Sequence, residues 1–177
     1  MMNKMQVKLR ALEPGDIDLL YKWENDKQIW QISDTIAPFS KFILQKYLDN
    51  SHLDIYQAKQ LRLMIDLTEK DNCQTVGTID LFDFNPIHLR AGVGILIGGN
   101  EDRNKGVATL ALRELIKYAF SILNLHQLYC NIQAENKISL RLFENAGFII
   151  VGTKKEWLKS HDCYKDEVLL QLINTTG

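Results

Sequence analysis

Hydrophobic residues change their spacing near the middle of the chain. The run Val93–Ile97 is almost entirely apolar, which is typical of a buried strand, and a Gly-Gly-Asn sequence ends it. From Ala108 to Leu123, apolar residues recur every three or four positions and charged residues fall between them. Because that spacing places the apolar side chains on one stripe, it predicts a long amphipathic helix after the strand.

A short charged loop, Arg103–Ala108, joins the predicted strand to the predicted helix. Backbone NH groups at a helix start have no intrahelical partner and lie at the positive end of the helix dipole, so the loop favours phosphate. A nucleotide-triphosphatase P-loop is excluded, since Lys105 precedes Gly106 and Val107 follows. The dinucleotide fingerprint is excluded as well, because no glycine turn opens the helix in that register.

A second strand and helix follow in the C-terminal half. The apolar stretch His126–Ile132 predicts a strand, and Asn136 stands at the position of a helix N-cap. The next apolar residues share one helical face, and Gly147 is the expected end of that helix. A second strand-to-helix unit therefore follows the first.

These two segments resemble the cofactor motifs of the GCN5-related N-acetyltransferases (GNAT). Arg103–Ala108 is similar to the Arg/Gln-x-x-Gly-x-Gly/Ala loop that binds the acetyl-CoA pyrophosphate. Asn136-x-x-Ser139, with a short helix ending in Gly147-Phe148, is similar to the second motif. The resemblance covers nearly the whole chain. It is closest to the branch with bacterial spermidine or diamine acetyltransferases and ribosomal-protein N-terminal acetyltransferases.

The resemblance implies an α+β fold with three layers, formed by a single acetyltransferase domain over residues 1–177. We expect a mixed, mostly antiparallel twisted sheet of about six to seven strands, with about four helices on its two faces. The apolar pattern elsewhere predicts strands at 5–12, 61–67, 75–84, from about Leu89, 149–151 and 168–172, and helices at 16–23 and 39–48.

The resemblance also implies the cofactor contacts, with acetyl-CoA as cosubstrate and no metal. The pyrophosphate would lie against Arg103, Asn104, Lys105, Gly106, Val107, Ala108 and Thr109. The pantetheine arm would lie along the central strand and the second motif, at Ile95, Leu96, Ile97, Asn136, Ser139 and Phe143. An extended ligand added to a strand edge explains the use of strand backbone.

Two proton-handling groups of the resembled enzymes are missing. Related polyamine and N-terminal enzymes carry Arg-Ala-Glu on the central strand, whereas this chain has Gly92 in place of the glutamate. Phe143 stands where a tyrosine often protonates the leaving thiol. A hairpin about Asn85-Pro86 would bring Asp83 near Arg90, either as a replacement base or in a plain ion pair.

Tyr164, near the C-terminus, is the candidate for the thiol acid or for a substrate contact. The leading hypothesis is direct attack of a primary amine on acetyl-CoA, with proximity supplying much of the rate. The acceptor would be a polyamine-like molecule or a protein N-terminus. Because of the missing glutamate and tyrosine, a CoA-binding protein without turnover is the alternative.

The segment from Ala11 to Asp34 is rich in acidic residues, and this composition suggests which acceptor the protein binds. The resemblance makes this region one wall of the acceptor pocket, with Glu24, Asp26 and Trp30 as substrate-binding candidates. An acidic wall would attract a cationic amine. Alternatively, Asp16 and Asp18 complement a helix N-terminus and the remaining acids are solvated. Both interpretations stay open.

Composition narrows the class of protein. The chain has 177 residues, 46% hydrophobic, with a formal net charge of -1 and no basic run, so nucleic acid is not expected as a partner. No apolar stretch is long enough for a membrane span, which predicts a cytoplasmic protein. Three widely separated cysteines favour neither a disulfide framework nor a zinc site. A homo-oligomer is left open.

Overall fold

A single seven-stranded sheet organises the protein, in a computed structural model that describes residues 5–30, 37–70, 72–103, 105–160 and 162–175. The strand order is β1-β2-β3-β4-β5-β7-β6. The strands are β1 (Gln6–Arg10), β2 (Leu61–Glu69), β3 (Asn72–Asn85), β4 (Arg90–Ile97), β5 (Gln127–Gln133), β6 (Ile149–Ser160) and β7 (Cys163–Ile173). Every neighbouring pair is antiparallel except β4 and β5, which confirms the expected mixed sheet.

Six α-helices lie within the described residues: α1 (Ile17–Glu24), α2 (Lys27–Trp30), α3 (Lys41–Asp49), α4 (Ile55–Ala58), α5 (Val107–Ser121) and α6 (Lys137–Asn145). The four longer helices are those that the apolar spacing predicts. The other two, α2 and α4, have four residues each, which is too short for a period to show. A 3-10 turn precedes α1 at Pro14–Asp16, and another follows β4 at Asn100–Asp102.

Helices cover the sheet on both faces. We call the side that packs against α5 the α5 face. There Ala111, Leu112 and Leu115 join the larger core with buried residues of β3 and β4. On the other side, which we call the α3 face, Leu44 of α3 belongs to a second core together with Met64 of β2. Burying a large aliphatic side chain contributes about 1.5–3 kcal/mol, so the two cores hold the three layers together.

The parallel pair β4–β5 is short. Its register joins Arg90, Ala91 and Gly92 to Gln127, Leu128 and Tyr129, and within the described residues no pairing continues beyond Gly92 and Tyr129. β4 and β5 nevertheless run on to Ile97 and Gln133. We call this opening the fork: its arms are residues 93–97 and 130–133, and its vertex is the pair Gly92–Tyr129.

The last two strands are much longer than the apolar pattern predicts. Trp157 and Tyr164 fall between the predicted strands 149–151 and 168–172, but the structure has them within β6 and β7. Most of β6 is exposed, so its side chains alternate too weakly between polar and apolar to show a strand period.

Asp16 is the N-cap residue of α1, where the predicted helix begins, but its side chain makes no capping hydrogen bond to α1. The Asp16 carboxylate instead accepts hydrogen bonds from Arg10 Nη1 and Nη2, at 2.7 and 2.8 Å. It also accepts one from the backbone NH of Glu13.

Candidate active site

The fork leaves one edge of the central strand open. β3 pairs with β4 as far as Ile97, whereas the edge of β4 that faces β5 is unpaired beyond Gly92 within the described residues. Parallel strands end on the same side of a sheet, so the loop after β4 and the start of α6 after β5 both lie at the open end of the fork. The two sequence motifs thus flank one opening.

The phosphate-loop candidates surround the first turn of α5. Gly106 is the N-cap, with a positive φ of 84°, and it has no side chain that could accept hydrogen bonds from the NH groups of the first turn. Among the described residues, the atom that a Cβ at this position would meet is Met5 Cε, at 3.8 Å. The glycine is therefore required by the backbone conformation, and Val107, Ala108 and Thr109 follow it as the first helical residues.

Two cations stand beside this helix start. Arg103 Nε donates to the carbonyl oxygen of Ile97 at 3.1 Å, which ties the loop to the end of β4. Lys105 Nζ lies 3.4 Å from Oδ1 of Asp102, a buried carboxylate that also accepts from Gln74 Nε2 at 3.2 Å. Asn104, the remaining predicted pyrophosphate contact, lies outside the described residues. The arrangement suits a bound phosphate, because free helix NH groups and two cations lie together.

The predicted pantetheine contacts occupy both arms of the opening. Ile95, Leu96 and Ile97 form the last part of β4, opposite Ile79, Thr78 and Gly77 of β3. Asn136 caps α6, with its Oδ1 accepting from the Ser139 NH at 3.1 Å. That contact confirms the predicted N-cap.

Phe143 lies deeper than the other predicted contacts. Its side chain is buried and packs edge-on against Phe148, with ring centroids 5.0 Å apart. It offers no hydroxyl at this point.

The vertex of the fork explains the missing glutamate. Phe82, Gly92 and Tyr129 are direct neighbours across β3, β4 and β5, so their side chains belong to the same α3 face. A Cβ on Gly92 would lie 2.3 Å from Cε2 of Phe82. The Phe82 ring therefore fills the space where a longer residue would begin, and it packs edge-on against the Tyr129 ring at 6.0 Å.

Asp83 lies at this vertex, and its partner is Tyr129 instead of the predicted Arg90. The Tyr129 hydroxyl donates to Asp83 Oδ2 at 3.2 Å. Asp83 has a positive φ of 49° and sits at an irregularity of the β3–β4 pairing, where Asn85 faces Arg90. Burial, together with the Asp83 carboxylate, raises the pKa of Tyr129 to about 12. An Asp83–Arg90 ion pair is not among the contacts of the described residues.

A charged cluster occupies the neighbouring row of the α3 face. Arg62 Nη1 lies 2.7 Å from Glu24 Oε1, and Arg62 Nε lies 2.6 Å from Asp80 Oδ1. Asp80 is opposite Gly94 of β4, and a Cβ on that glycine would lie 4.0 Å from Asp80 Oδ2. Two carboxylates on one guanidinium leave a net negative charge beside the central strand. The Arg62 guanidinium also stacks on the Tyr47 ring.

Most acids of the early segment already have partners. Asp16 pairs with Arg10, and Asp18 pairs with Lys41 at 2.6 Å. Asp26 accepts from the Gln28 NH at the start of α2. These contacts reduce the field that the segment could project toward an amine. Among the described residues, the Glu24–Arg62–Asp80 cluster is the part of the predicted acidic wall that leaves a net negative charge beside β4.

The other predicted acceptor residues lie apart. The Trp30 indole donates to the carbonyl oxygen of Glu24 at 2.6 Å, so it is linked to the charged cluster through backbone. Tyr164 is 60% exposed and faces Lys159 near the end of the β6–β7 hairpin. It precedes Gln171, the β7 neighbour of Tyr129, by seven residues, or roughly 23 Å along the strand. Within the described residues, no group of three or more His, Cys, Asp or Glu side chains could hold a metal ion.

Comparison with known proteins decides the family. The family description "Acetyltransferase (GNAT) domain" matches residues 6–149. The chain belongs to this family. The chain is therefore an acetyl-CoA-dependent acetyltransferase.

Individual relatives agree. The chain is 30% identical over 161 residues to a spermidine N(1)-acetyltransferase of Vibrio cholerae. The matched region covers 91% of this chain and 89% of that protein. It is 30% identical over 97 residues to a putative ribosomal N-acetyltransferase of Bacillus subtilis, covering 55% and 52%.

Solved structures of spermidine N-acetyltransferase from Vibrio cholerae share the fold. One is in complex with CoA and spermine, with a TM-score of 0.84 at 27% identity and 95% of each chain covered. Another is a dodecamer, with a TM-score of 0.76 at 27% identity, covering 95% of this chain and 94% of that one.

These findings give no support to a CoA-binding protein without turnover. Among the helices in the described ranges, none is long and apolar enough to cross a membrane.

Proposed function

We propose that this acetyltransferase acts on a polyamine-like primary amine, which attacks acetyl-CoA directly while both are bound. The observation that carries the proposal is the net negative Glu24–Arg62–Asp80 cluster beside Gly94 of the central strand. An alkylammonium group has a pKa of about 10.4, so a polyamine arrives as a cation that this charge attracts. Similarity to a spermidine N(1)-acetyltransferase supports the same acceptor class.

Acetyl-CoA would enter at the open end of the fork. The pyrophosphate would lie against the first turn of α5 and the cations Arg103 and Lys105, and the arm would follow the free edge of β4 past Asn136 and Ser139. The positive φ of Gly106 and the capless helix start fit such a group. No metal is required by this arrangement.

The chemistry needs a neutral amine and donors for the oxygen of the attacked carbonyl. Backbone NH groups on the free edge of β4 are suited to be those donors. We assign Asp83 as the proton acceptor, because its carboxylate lies at the vertex of the fork. Tyr164, exposed on the β6–β7 hairpin, is assigned as an acceptor contact rather than as a group at the vertex.

A peptide N-terminus is the second candidate acceptor. The specific observation in its favour is the similarity to a putative ribosomal N-acetyltransferase over about half of the chain. An N-terminal amine has a lower pKa than a polyamine, about 7.7–8.0, and gains less from a negative wall. The charged cluster therefore favours the polyamine.

We also propose that the domain, residues 1–177, works as a homo-oligomer. β6 is an edge strand of the sheet, with exposed Ile149, Ile150, Val151 and Trp157. An apolar sheet edge of this kind is typically covered by another chain. The dodecameric structural relative supports the proposal, and light scattering of the purified protein would measure the assembly.

The acceptor is tested by thiol release from acetyl-CoA against separate pools of polyamines, amino acids and peptides with free N-termini. We expect release with polyamines. Glu24→Gln would bring the cluster to zero net charge and raise the KM for a polyamine about 3- to 10-fold, with little change for a neutral amine. Glu144→Gln is the matched control, because Glu144 is exposed on α6, away from the cluster. An unchanged KM in Glu24→Gln, or release with peptides alone, would contradict the polyamine assignment.

A further inference from the structure

The fork brings a tyrosine and a carboxylate together at the point where β4 and β5 separate. Tyr129 is the last residue of β5 that pairs with β4, and its hydroxyl donates to Asp83 Oδ2 at 3.2 Å. Gly92, its β4 neighbour, has no side chain, and the Phe82 ring lies over it. The Phe82 ring packs edge-on against the Tyr129 ring and fixes its orientation.

Both groups lie beside Gly92, the position of the missing glutamate. Phe143 cannot donate a proton, and its ring is buried against Phe148. Tyr164 is about 23 Å away from the level of Tyr129 along β7. Tyr129 is thus the phenol that the described residues place at the vertex.

We propose that Tyr129 is the general acid that protonates the leaving thiolate, and that Asp83 refills its proton, so that the two act as one relay. The proposal rests on the proposed acetyl transfer to an amine. It assigns the missing acid and base functions to neighbouring strands of the sheet, instead of to β4 and α6.

In the acceptor complex the reacting amine is neutral, because its ammonium proton has passed to solvent. The amine nitrogen forms a bond to the thioester carbonyl carbon, whose π electrons move to oxygen. When that electron pair returns, the C–S bond breaks and its electrons leave on sulfur. Asp83 takes one proton from nitrogen, Tyr129 gives its hydroxyl proton to sulfur, and the proton on Asp83 passes to the phenolate. One proton moves from nitrogen to sulfur, and both side chains return to their starting states.

The electrostatics of the vertex fit this sequence. With a pKa of about 12, the Tyr129 phenol stays protonated at neutral pH and is ready to donate. A thiol has an ordinary pKa near 8.5, so the phenolate would take the proton back from the thiol unless a second group gives it one. Asp83 supplies that group. Arg90 on β4 is the other charge that acts on the phenol, and the β7 neighbour of Tyr129, Gln171, is uncharged.

Two substitutions separate a relay from a structural hydrogen bond. Tyr129→Phe removes the proton donor and keeps the ring contact with Phe82. Asp83→Asn keeps an oxygen that accepts from the phenol but cannot take up a proton, and asparagine tolerates a positive φ well. The control is Tyr56→Phe, which removes the same atom from an exposed residue whose ring rests on Phe84.

For the wild type and each variant, the quantities to measure are kcat and KM for acetyl transfer to spermidine, acetyl-CoA affinity by calorimetry, and the melting temperature. Tyr129→Phe and Asp83→Asn should each lower kcat about 10²-fold, and the double variant should lose no more than either single one. Binding of acetyl-CoA, KM and melting temperature should stay close to wild type. Tyr56→Phe should match wild type throughout.

Other results would overturn the relay. A wild-type kcat in Asp83→Asn would show that the carboxylate only accepts a structural hydrogen bond. A wild-type kcat in Tyr129→Phe would remove the phenol from the reaction. Losses confined to KM or melting temperature would also contradict the proposal. Absence of acetyl transfer by the wild-type protein to every amine would instead contradict the proposed function, and the relay with it.

Discussion

Substitution of Gly92 tests whether the Phe82 ring truly occupies the space of the missing glutamate. In Gly92→Ala, the new Cβ would lie 2.3–2.8 Å from three atoms of the Phe82 ring. Carbon atoms pack best at about 3.5–4.0 Å, so the ring would have to move by about 1 Å. Overpacking of this kind costs about 1–3 kcal/mol. Replacing glycine by alanine in a strand returns about 0.5–1 kcal/mol. The expected net loss of unfolding free energy is therefore about 0–2.5 kcal/mol, and relative to a glycine-to-alanine change without a clash it is about 1–3 kcal/mol.

Urea denaturation of the purified protein measures this loss as a lower midpoint with an unchanged slope. Gly152→Ala is the matched control, since Gly152 is also in a strand and nothing lies within 4 Å of its added Cβ. That variant should be as stable as wild type or slightly more so. Combining Gly92→Ala with Phe82→Leu should cost less than the sum of the two changes, because the smaller side chain relieves the clash. Equal behaviour of Gly92→Ala and Gly152→Ala would refute the proposed occupation of this space by Phe82.

Two further changes test the loop and the N-terminal ion pair. Gly106→Val forces a β-branched residue to a φ of 84° and blocks close approach to the backbone, so acetyl-CoA affinity measured by calorimetry should fall at least tenfold; retained affinity would mean that the phosphate binds elsewhere. The hydrogen bond from Arg10 lowers the pKa of Asp16 below its ordinary value. Its stabilisation is therefore fully present above about pH 4 and is lost as the pH falls further. Asp16→Asn should be less stable at pH 7 and should lose less stability than wild type between pH 5 and pH 3; parallel pH curves in urea denaturation would rule this out.

The elements that would bind acetyl-CoA can be predicted from local sequence patterns. The start of α5 at Val107 and the cap of α6 by Asn136 depend on residues within one helical turn, and both are where the sequence places them. The strand before α5 is a continuous apolar run because it is buried, and the structure has it as β4. Such features need no knowledge of distant neighbours.

The vertex of the fork could not be found in this way. Phe82, Gly92 and Tyr129 are brought together by the register of three strands, and register between distant segments is not written in local spacing. Tyr129 in particular sits in an apolar strand, where a packing role is the ordinary expectation. The feature that draws attention to Tyr129 is its direct pairing with Gly92, and that pairing is visible only in the folded sheet.

The acidic segment shows the same limit for electrostatics. Glu24 meets its partner Arg62 across 38 residues of sequence, and Asp16 meets Arg10 through a tightly held side-chain contact. Counting acidic residues predicts a negative wall, whereas in the folded chain Asp16 and Asp18 pair with Arg10 and Lys41, and the Glu24–Arg62–Asp80 cluster leaves one net negative charge beside β4. The exposed strand β6 was under-predicted for a related reason, since a strand without a buried face has no apolar period.

The most direct test of the central claim is acetyl transfer itself. Purified protein is incubated with acetyl-CoA and spermidine, and free thiol is measured together with the mass of the amine. The account predicts thiol release that requires the amine, matched one to one by a spermidine carrying an acetyl group. Bound acetyl-CoA without amine-dependent thiol release, across polyamines and peptides alike, would contradict it.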